Sequence, residues 1–358
     1  MFFTSAAAFA LIVSNQYVPP SPIYMVTTRG TKNGAFSRDQ AAGDVRLYKL
    51  NEPTEFGPAA PPRVGNKVSD FVALPGSVEQ IGRELLSAAQ TAGATRNALL
   101  IFYIHGFNNS VQDAIDTAWL FRRDFTSPGV TPIVVAVTWP SDDSLWRYNQ
   151  DRSDAETSAP AIGKFFAALG AERPPTSPGL RVAVVTHSMG AVVFTRAADS
   201  IVKAGVPRRP IFDETALVAP DLARSEMDTN RYGGEVSLIS RQSTVYFSVS
   251  DTVLAGSGVI RFTTGGRLGS QGALNYENTP KNVTFVNASR DVKAGRNGIL
   301  GPVETHGIYW QNVTFMTDFT ALILGKPLPD GYREQISGTL WKLIRPKNST
   351  ESADGTTN

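Results

Sequence analysis

The chain contains no cysteine, which removes thiolate nucleophiles, disulfides and cysteine-based zinc sites from consideration. Histidine is nearly as scarce, with three in 358 residues, so chemistry that needs an imidazole must use His105, His187 or His306. Charge of one sign is missing too: the formal net charge is +2, and no run of Lys and Arg reaches five residues. Nucleic acid is therefore not expected as a partner, because phosphate binding needs clustered positive charge. Residues 1–13 (MFFTSAAAFALIV) are apolar but too few to cross a bilayer, which takes about 20. The first basic residue is Arg29, so the basic start of a signal peptide is lacking as well. Two readings of this stretch stay open: a signal or anchor remnant, or a tail or first strand. Any membrane association would run through it. A cytoplasmic address is favoured, with a secreted, periplasmic or membrane-anchored one if the stretch is a targeting remnant. Oligomeric state is not readable.

What is present is a hydrophobic content of 42% with 18% charged residues, ordinary for a globular protein whose core needs no covalent staple. Residues 23–28 and 45–50 are short β-prone runs. Ser77-x-x-Gln80 reads as a capping box opening a helix with Val78, Ile81, Leu85 and Ala89 on one face. From residue 98 the pattern becomes one of continuous apolar runs, the mark of strands buried on both faces: 98–104, 131–137, 180–185, 214–218, 244–249 and 283–286. Helical periodicity lies between several of them, with Ser110 capping one helix, a second near 155–169 that Pro160 starts or kinks, and a third over 189–203. Strand–helix alternation predicts an α/β fold with a mostly parallel central sheet of about eight strands and helices on both faces. The expected organisation is an N-terminal tail over 1–22, one domain over 23–345 and a polar tail over 346–358. Within the domain, the glycine-rich stretch 254–280 is expected to be a mobile loop or lid.

The sequence VVTHSMGAVVF, residues 184–194, places Ser188 where a strand gives way to a helix. A serine in that turn stands at the carboxyl edge of a parallel sheet, where open α/β folds bind ligands. The surrounding pattern is that of a nucleophile elbow, G-x-S-x-G, with Gly190 at the second glycine and Thr186 in place of the first. A helix N-cap is the competing explanation for a serine there. The rest of the sequence favours a nucleophile. Ile104-His105-Gly106-Phe107 follows the strand over 98–104, and acyl transfer needs two backbone N–H groups aimed at an oxyanion. Met189, after the nucleophile, and Phe107 are the candidates for this oxyanion hole, while His105 is expected to order the loop through backbone bonds. Asp251, after the strand 244–249, is the favoured acid, with Asp221, after the strand 214–218, as the alternative. His187 adjoins the nucleophile and is directed elsewhere, so His306 is the candidate base. The order Ser188, Asp251, His306 is the chain order of the α/β-hydrolase scaffold.

Together YIHGFNNSVQDA, VTWPSDDSLWRYNQDRSDA, VVTHSMGAVVF, LVAPDLARSEM and VYFSVSDTVL resemble an uncharacterised bacterial branch of the α/β-hydrolase superfamily, commonly described as esterase- or lipase-like. The resemblance spans about residues 23–325. It implies a serine hydrolase with Ser188 as nucleophile and His306 as base, and it carries no settled substrate. Trp139-Pro140-Ser141 and Tyr148 match a signature of that branch without a defined catalytic role, and are expected to shape a pocket wall or, for Trp139, to pack in the core. Phe262 and Tyr276 are candidates to line an acyl pocket or simply to pack. The expected activity is carboxylic ester hydrolysis through an acyl-enzyme on a small-molecule acyl substrate, with no cofactor or metal required. A non-catalytic binding or scaffold protein on the same fold, and an acyltransferase or amidase, are the rival expectations.

Overall fold

The computed structural model describes residues 21–51, 61, 63–92, 98–126, 130–141, 147–174, 179–205, 209–250, 266–289 and 308–346. Its strands are β1 (Ile23–Thr27), β2 (Arg29–Lys32), β3 (Ala35–Gln40), β4 (Arg46–Leu50), β5 (Phe71–Leu74), β6 (Ala98–Ile104), β7 (Thr131–Thr138), β8 (Leu180–His187), β9 (Phe212–Val218), β10 (Ser240–Phe247), β11 (Val283–Asn287), β12 (Arg333–Ser337) and β13 (Leu340–Leu343). The helices are α1 (Val78–Ala92), α2 (Val111–Phe125), α3 (Tyr148–Glu172), α4 (Gly190–Lys203), α5 (Tyr232–Ile239) and α6 (Val313–Leu324), with a single helical turn over Leu268–Gln271.

Eleven strands form one sheet in the order β12-β13-β11-β10-β9-β8-β6-β7-β1-β4-β5, and β2 and β3 pair separately. The expected eight-strand sheet corresponds to its parallel part, in which β13, β11, β10, β9, β8, β6, β7 and β1 run the same way. The total is larger than expected because β12 at one edge, and β4 and β5 at the other, add antiparallel strands. Both faces are covered. One core packs α1, α3, α4 and α5 against Leu100, Phe102, Val182 and Val184; the other packs α2 and α6 against Ile101, Tyr103, Ala183 and Val185. Alternate residues of one strand thus enter opposite cores, which is why β6 and β8 are apolar throughout.

Local signals account for several helix starts. The Ser77 N–H donates to Gln80 Oε1 at 2.7 Å, and the Gln80 N–H donates to Ser77 Oγ at 3.4 Å, completing the box before α1. Ser110 and Asp113 form the equivalent box before α2. Helix α3 differs from expectation: it starts at Tyr148 rather than near 155, and Pro160 lies inside it. Its N-cap, Arg147, makes no side-chain capping bond, so no capping residue marks the start.

The stretch 254–280 is described from residue 266 onward. Residues 251–265 lie outside the described residues, while the remainder is pinned rather than loose. The Leu268 N–H bonds Leu222 O at 2.9 Å, the Gly269 N–H bonds Pro220 O at 3.0 Å, and the Leu274 N–H bonds Arg224 O at 3.1 Å. Tyr276 packs its ring 5.0 Å from Phe285, in the core-packing role. Phe262 and both tails, 1–20 and 347–358, fall outside the described residues.

Parallel strands deliver successive loops to one edge. In register, Ile104 lies opposite Thr186, His187 opposite Val218 and Val218 opposite Tyr246, so β6, β8, β9 and β10 end at one level. That edge carries the candidate site.

Candidate active site

Ser188 follows the last residue of β8 and adopts a left-handed backbone, φ 52°. Such a conformation costs an ordinary L-residue about 1–2 kcal/mol, so the surroundings must impose it. They do so through hydrogen bonds. The Ser188 N–H donates to Val218 O at 3.0 Å, and its carbonyl accepts from Ala191 and Asp221, both at 3.1 Å. Only 6% of the residue is exposed. Two other non-glycine residues with positive φ border the same turn: Asn108 at 58° and Ala219 at 46°.

Met189 is the N-cap of α4, and its N–H donates to no acceptor among the described residues. Gly190 begins the helix against the end of β6. A Cβ there would fall 2.4 Å from Ile104 O and 2.6 Å from His105 O, both backbone atoms, so only glycine fits. Thr186, at the other glycine position of the pattern, is fully buried within β8 and meets no such obstacle, although its hydroxyl finds no partner among the described residues.

The loop after β6 faces the elbow. Its His105 is buried and stacked on Trp139, with ring centroids 5.2 Å apart and planes 10° from parallel. His105 Nδ1–H donates to Gly106 O at 2.9 Å while Nε2 accepts the Trp139 N–H at 3.3 Å, which defines a neutral tautomer. Burial first, then the nearby Arg29 charge, pushes the imidazole down to about 3. His105 therefore orders the loop and is unsuited to general-base work, as expected. The Gly106 N–H reaches Asn109 Oδ1 at 3.2 Å, the Asn108 N–H reaches Asp151 Oδ2 at 3.5 Å, and the Asn109 N–H reaches Ser141 Oγ at 3.2 Å. The Phe107 N–H, between them, donates to no described acceptor. The ring of Phe107 packs 5.5 Å from Tyr148.

Asp221 is buried below the elbow. The Tyr148 hydroxyl donates to its Oδ2 at 2.5 Å, and Arg267 Nε pairs with its Oδ1 at 3.1 Å without an aligned N–H···O bond. Arg267 Nη2 also donates to the Tyr148 oxygen at 3.3 Å. The charges are buried together and neutralise one another, as burial requires.

The structure thus brings Ser188, Met189, Phe107 and Asp221 to one place. Asp251 and His306 lie outside the described residues. Their described neighbours are at this edge: the Val249 N–H donates to Ser289 Oγ at 2.8 Å, and the ring of Trp310 lies 6.0 Å from that of His187. Sequence reasoning passed over Arg29, Asp151 and Arg267. Asp151 sits inside a recognised motif, yet no local feature shows that it reaches the loop after β6; Arg267 is embedded in a glycine-rich stretch with no signal.

Residues 87–295 match the family described as "Alpha/beta hydrolase of unknown function (DUF900)". Over 152 residues, 34% of this chain, the sequence is 22% identical to an uncharacterized protein of Nostoc sp., of whose length the match spans 38%. A thermostable esterase from Pseudomonas putida aligns over 84% of this chain and 86% of its own, with 15% identity and a TM-score of 0.35. An esterase from Pyrobaculum calidifontis aligns over 70% and 93%, with 12% identity and a TM-score of 0.34.

Proposed function

The chain belongs to this α/β-hydrolase family, and from that premise we propose that it is a serine hydrolase cleaving carboxylic esters through an acyl-enzyme on Ser188. One observation carries the reading. A buried serine is held at φ 52° at the carboxyl edge of the sheet, next in the chain to Met189 and against the loop of Gly106 and Phe107, and no described residue accepts the N–H of Met189 or of Phe107. A strained backbone is costly, and a binding or scaffold role gives it no purpose. An oxyanion uses both N–H groups.

In this mechanism His306 takes the Ser188 proton as Oγ attacks the ester carbonyl. The Met189 and Phe107 N–H groups stabilise the oxyanion as the C=O bond opens. Collapse expels the alcohol, which takes the proton from His306; His306 then takes a proton from a water as its oxygen attacks the acyl carbonyl, and returns it to Ser188 Oγ as the carboxylic acid leaves. Asp251 orients His306. Asp221, which holds Tyr148 and Arg267 at the same edge, is the alternative acid. Trp310 beside His187 supports His306, since the four chain steps from His306 to Trp310 span at most about 14 Å.

The test is labelling by a fluorophosphonate together with hydrolysis of p-nitrophenyl esters. Wild type is expected to label and turn over; Ser188→Ala is expected to lose labelling and at least about 10⁴-fold in kcat. Full activity in Ser188→Ala would overturn the proposal.

A further inference from the structure

We propose that Trp139, Ser141, Tyr148 and Asp151 form a frame that positions the oxyanion loop, with Asp151 and Ser141 as the positioning pair; this rests on the ester-hydrolase reading of Ser188. All four come from the stretch that the fold leaves without an assigned role, and each meets a different part of residues 105–109. Trp139 Nε1–H donates to His105 O at 2.9 Å, its backbone N–H to His105 Nε2, and its ring covers the imidazole. Tyr148 braces the ring of Phe107 while its hydroxyl is tied to Asp221, whose own N–H holds the Ser188 carbonyl. The frame therefore touches the loop on one side and the elbow on the other.

The polar pair does the finer work. Asp151 is completely buried in the first turn of α3, where the helix N-terminus favours its charge. Its Oδ2 accepts the Ser141 hydroxyl at 2.6 Å and stands 3.5 Å from the Asn108 N–H. Because the Ser141 proton goes to Asp151, a lone pair of Oγ is left facing the Asn109 N–H, 3.2 Å away. Asn109 is held at its other end by Arg29, whose Nη2 donates to its carbonyl at 3.0 Å, and its side-chain oxygen accepts the Gly106 N–H. Of the N–H groups at 106, 107, 108 and 109, three are held by this network, and that of Phe107 alone has no acceptor among the described residues. A free donor in an otherwise saturated loop suits one of the two N–H groups of an oxyanion site, because its geometry is set before the charge arrives.

The experiment compares wild type with Ser141→Ala, Ser141→Thr and Asp151→Asn, measuring kcat, KM and the Ki of a trifluoromethyl ketone, whose hemiketal oxygen occupies the oxyanion position. For Ser141→Ala and Asp151→Asn, kcat is expected to fall about tenfold to a hundredfold. Ki should rise by the same factor and KM change less than about twofold, while Ser141→Thr, which keeps the hydroxyl, restores both. A purely structural role would lower the melting temperature or the active fraction and leave Ki of the surviving enzyme unchanged, which would overturn the proposal. So would unchanged kcat in an active wild-type background. A wild type that neither labels at Ser188 nor hydrolyses esters would overturn the hydrolase reading and this inference with it.

Discussion

A Cβ built on Gly106 falls 2.9 Å from the Cβ of Ser188 and 3.1 Å from His187 O. The loop that carries Phe107 and the turn that carries the nucleophile are thus in direct contact, and a missing side chain is what lets them meet.

Gly106→Ala should therefore push the loop away from the elbow. A displacement of about 1 Å is enough to cost about 10²-fold in kcat/KM, with a stability loss of about 1–3 kcal/mol from overpacking. Kinetics with a p-nitrophenyl ester and urea denaturation would check this. An alanine variant of wild-type activity would show that the contact has no catalytic consequence.

Ser188→Gly and Ser188→Ala should both be inactive but differ in stability. Alanine keeps the left-handed strain at φ 52°, whereas glycine relieves it, so the glycine variant is expected to be about 1 kcal/mol the more stable. Equal midpoints in chemical denaturation would mean that the turn is not strained.

Thr186→Val should keep activity and raise stability by about 1 kcal/mol, because the buried Thr186 hydroxyl has no partner among the described residues. A clear loss of stability would reveal a hydrogen bond to that hydroxyl, and the denaturation midpoint decides it.

Stability should fall with rising pH because of Glu214. Burial pushes its carboxyl from 4.5 up to about 7, against the opposing pull of Arg181, 3.7 Å away, and of the Thr244 hydroxyl. The folded chain holds this proton more tightly than the unfolded chain. Its contribution is complete below the unfolded value and is lost as pH rises through about 7, an effect on the order of 3 kcal/mol at most. Glu214→Gln should flatten the pH dependence of unfolding free energy between about pH 5 and 7. Identical slopes for variant and wild type would count against it.

The parallel part of the sheet was legible because its strands are buried on both faces and written as unbroken apolar runs. Strands such as β5 and β12 were not, since Val72, Ala73 and most of β12 are exposed and follow no apolar alternation. Helix α3 hid its start behind an N-cap that makes no capping bond. At the site, Ser188, Met189, Phe107 and Gly190 could be read locally because the strand–turn–helix grammar fixes them. Thr186 departs from that grammar without harm, since the tight approaches fall at Gly190 and Gly106 instead. The supporting charges were illegible for a different reason: Tyr148 meets Arg267 across 119 residues and Asp221 across 73, and no local pattern encodes such meetings.

The antiparallel strands at the margins of the sheet have a consequence for how copies of this chain meet. β12 exposes Glu334, Gln335 and Ser337 together with a single apolar side chain, Ile336, and its ladder is interrupted between Gln335 and Ser337. A mostly polar, irregular edge is a poor template for a neighbouring strand, so the parallel array is shielded at the β12 end from the edge-to-edge growth that leads to insoluble aggregates.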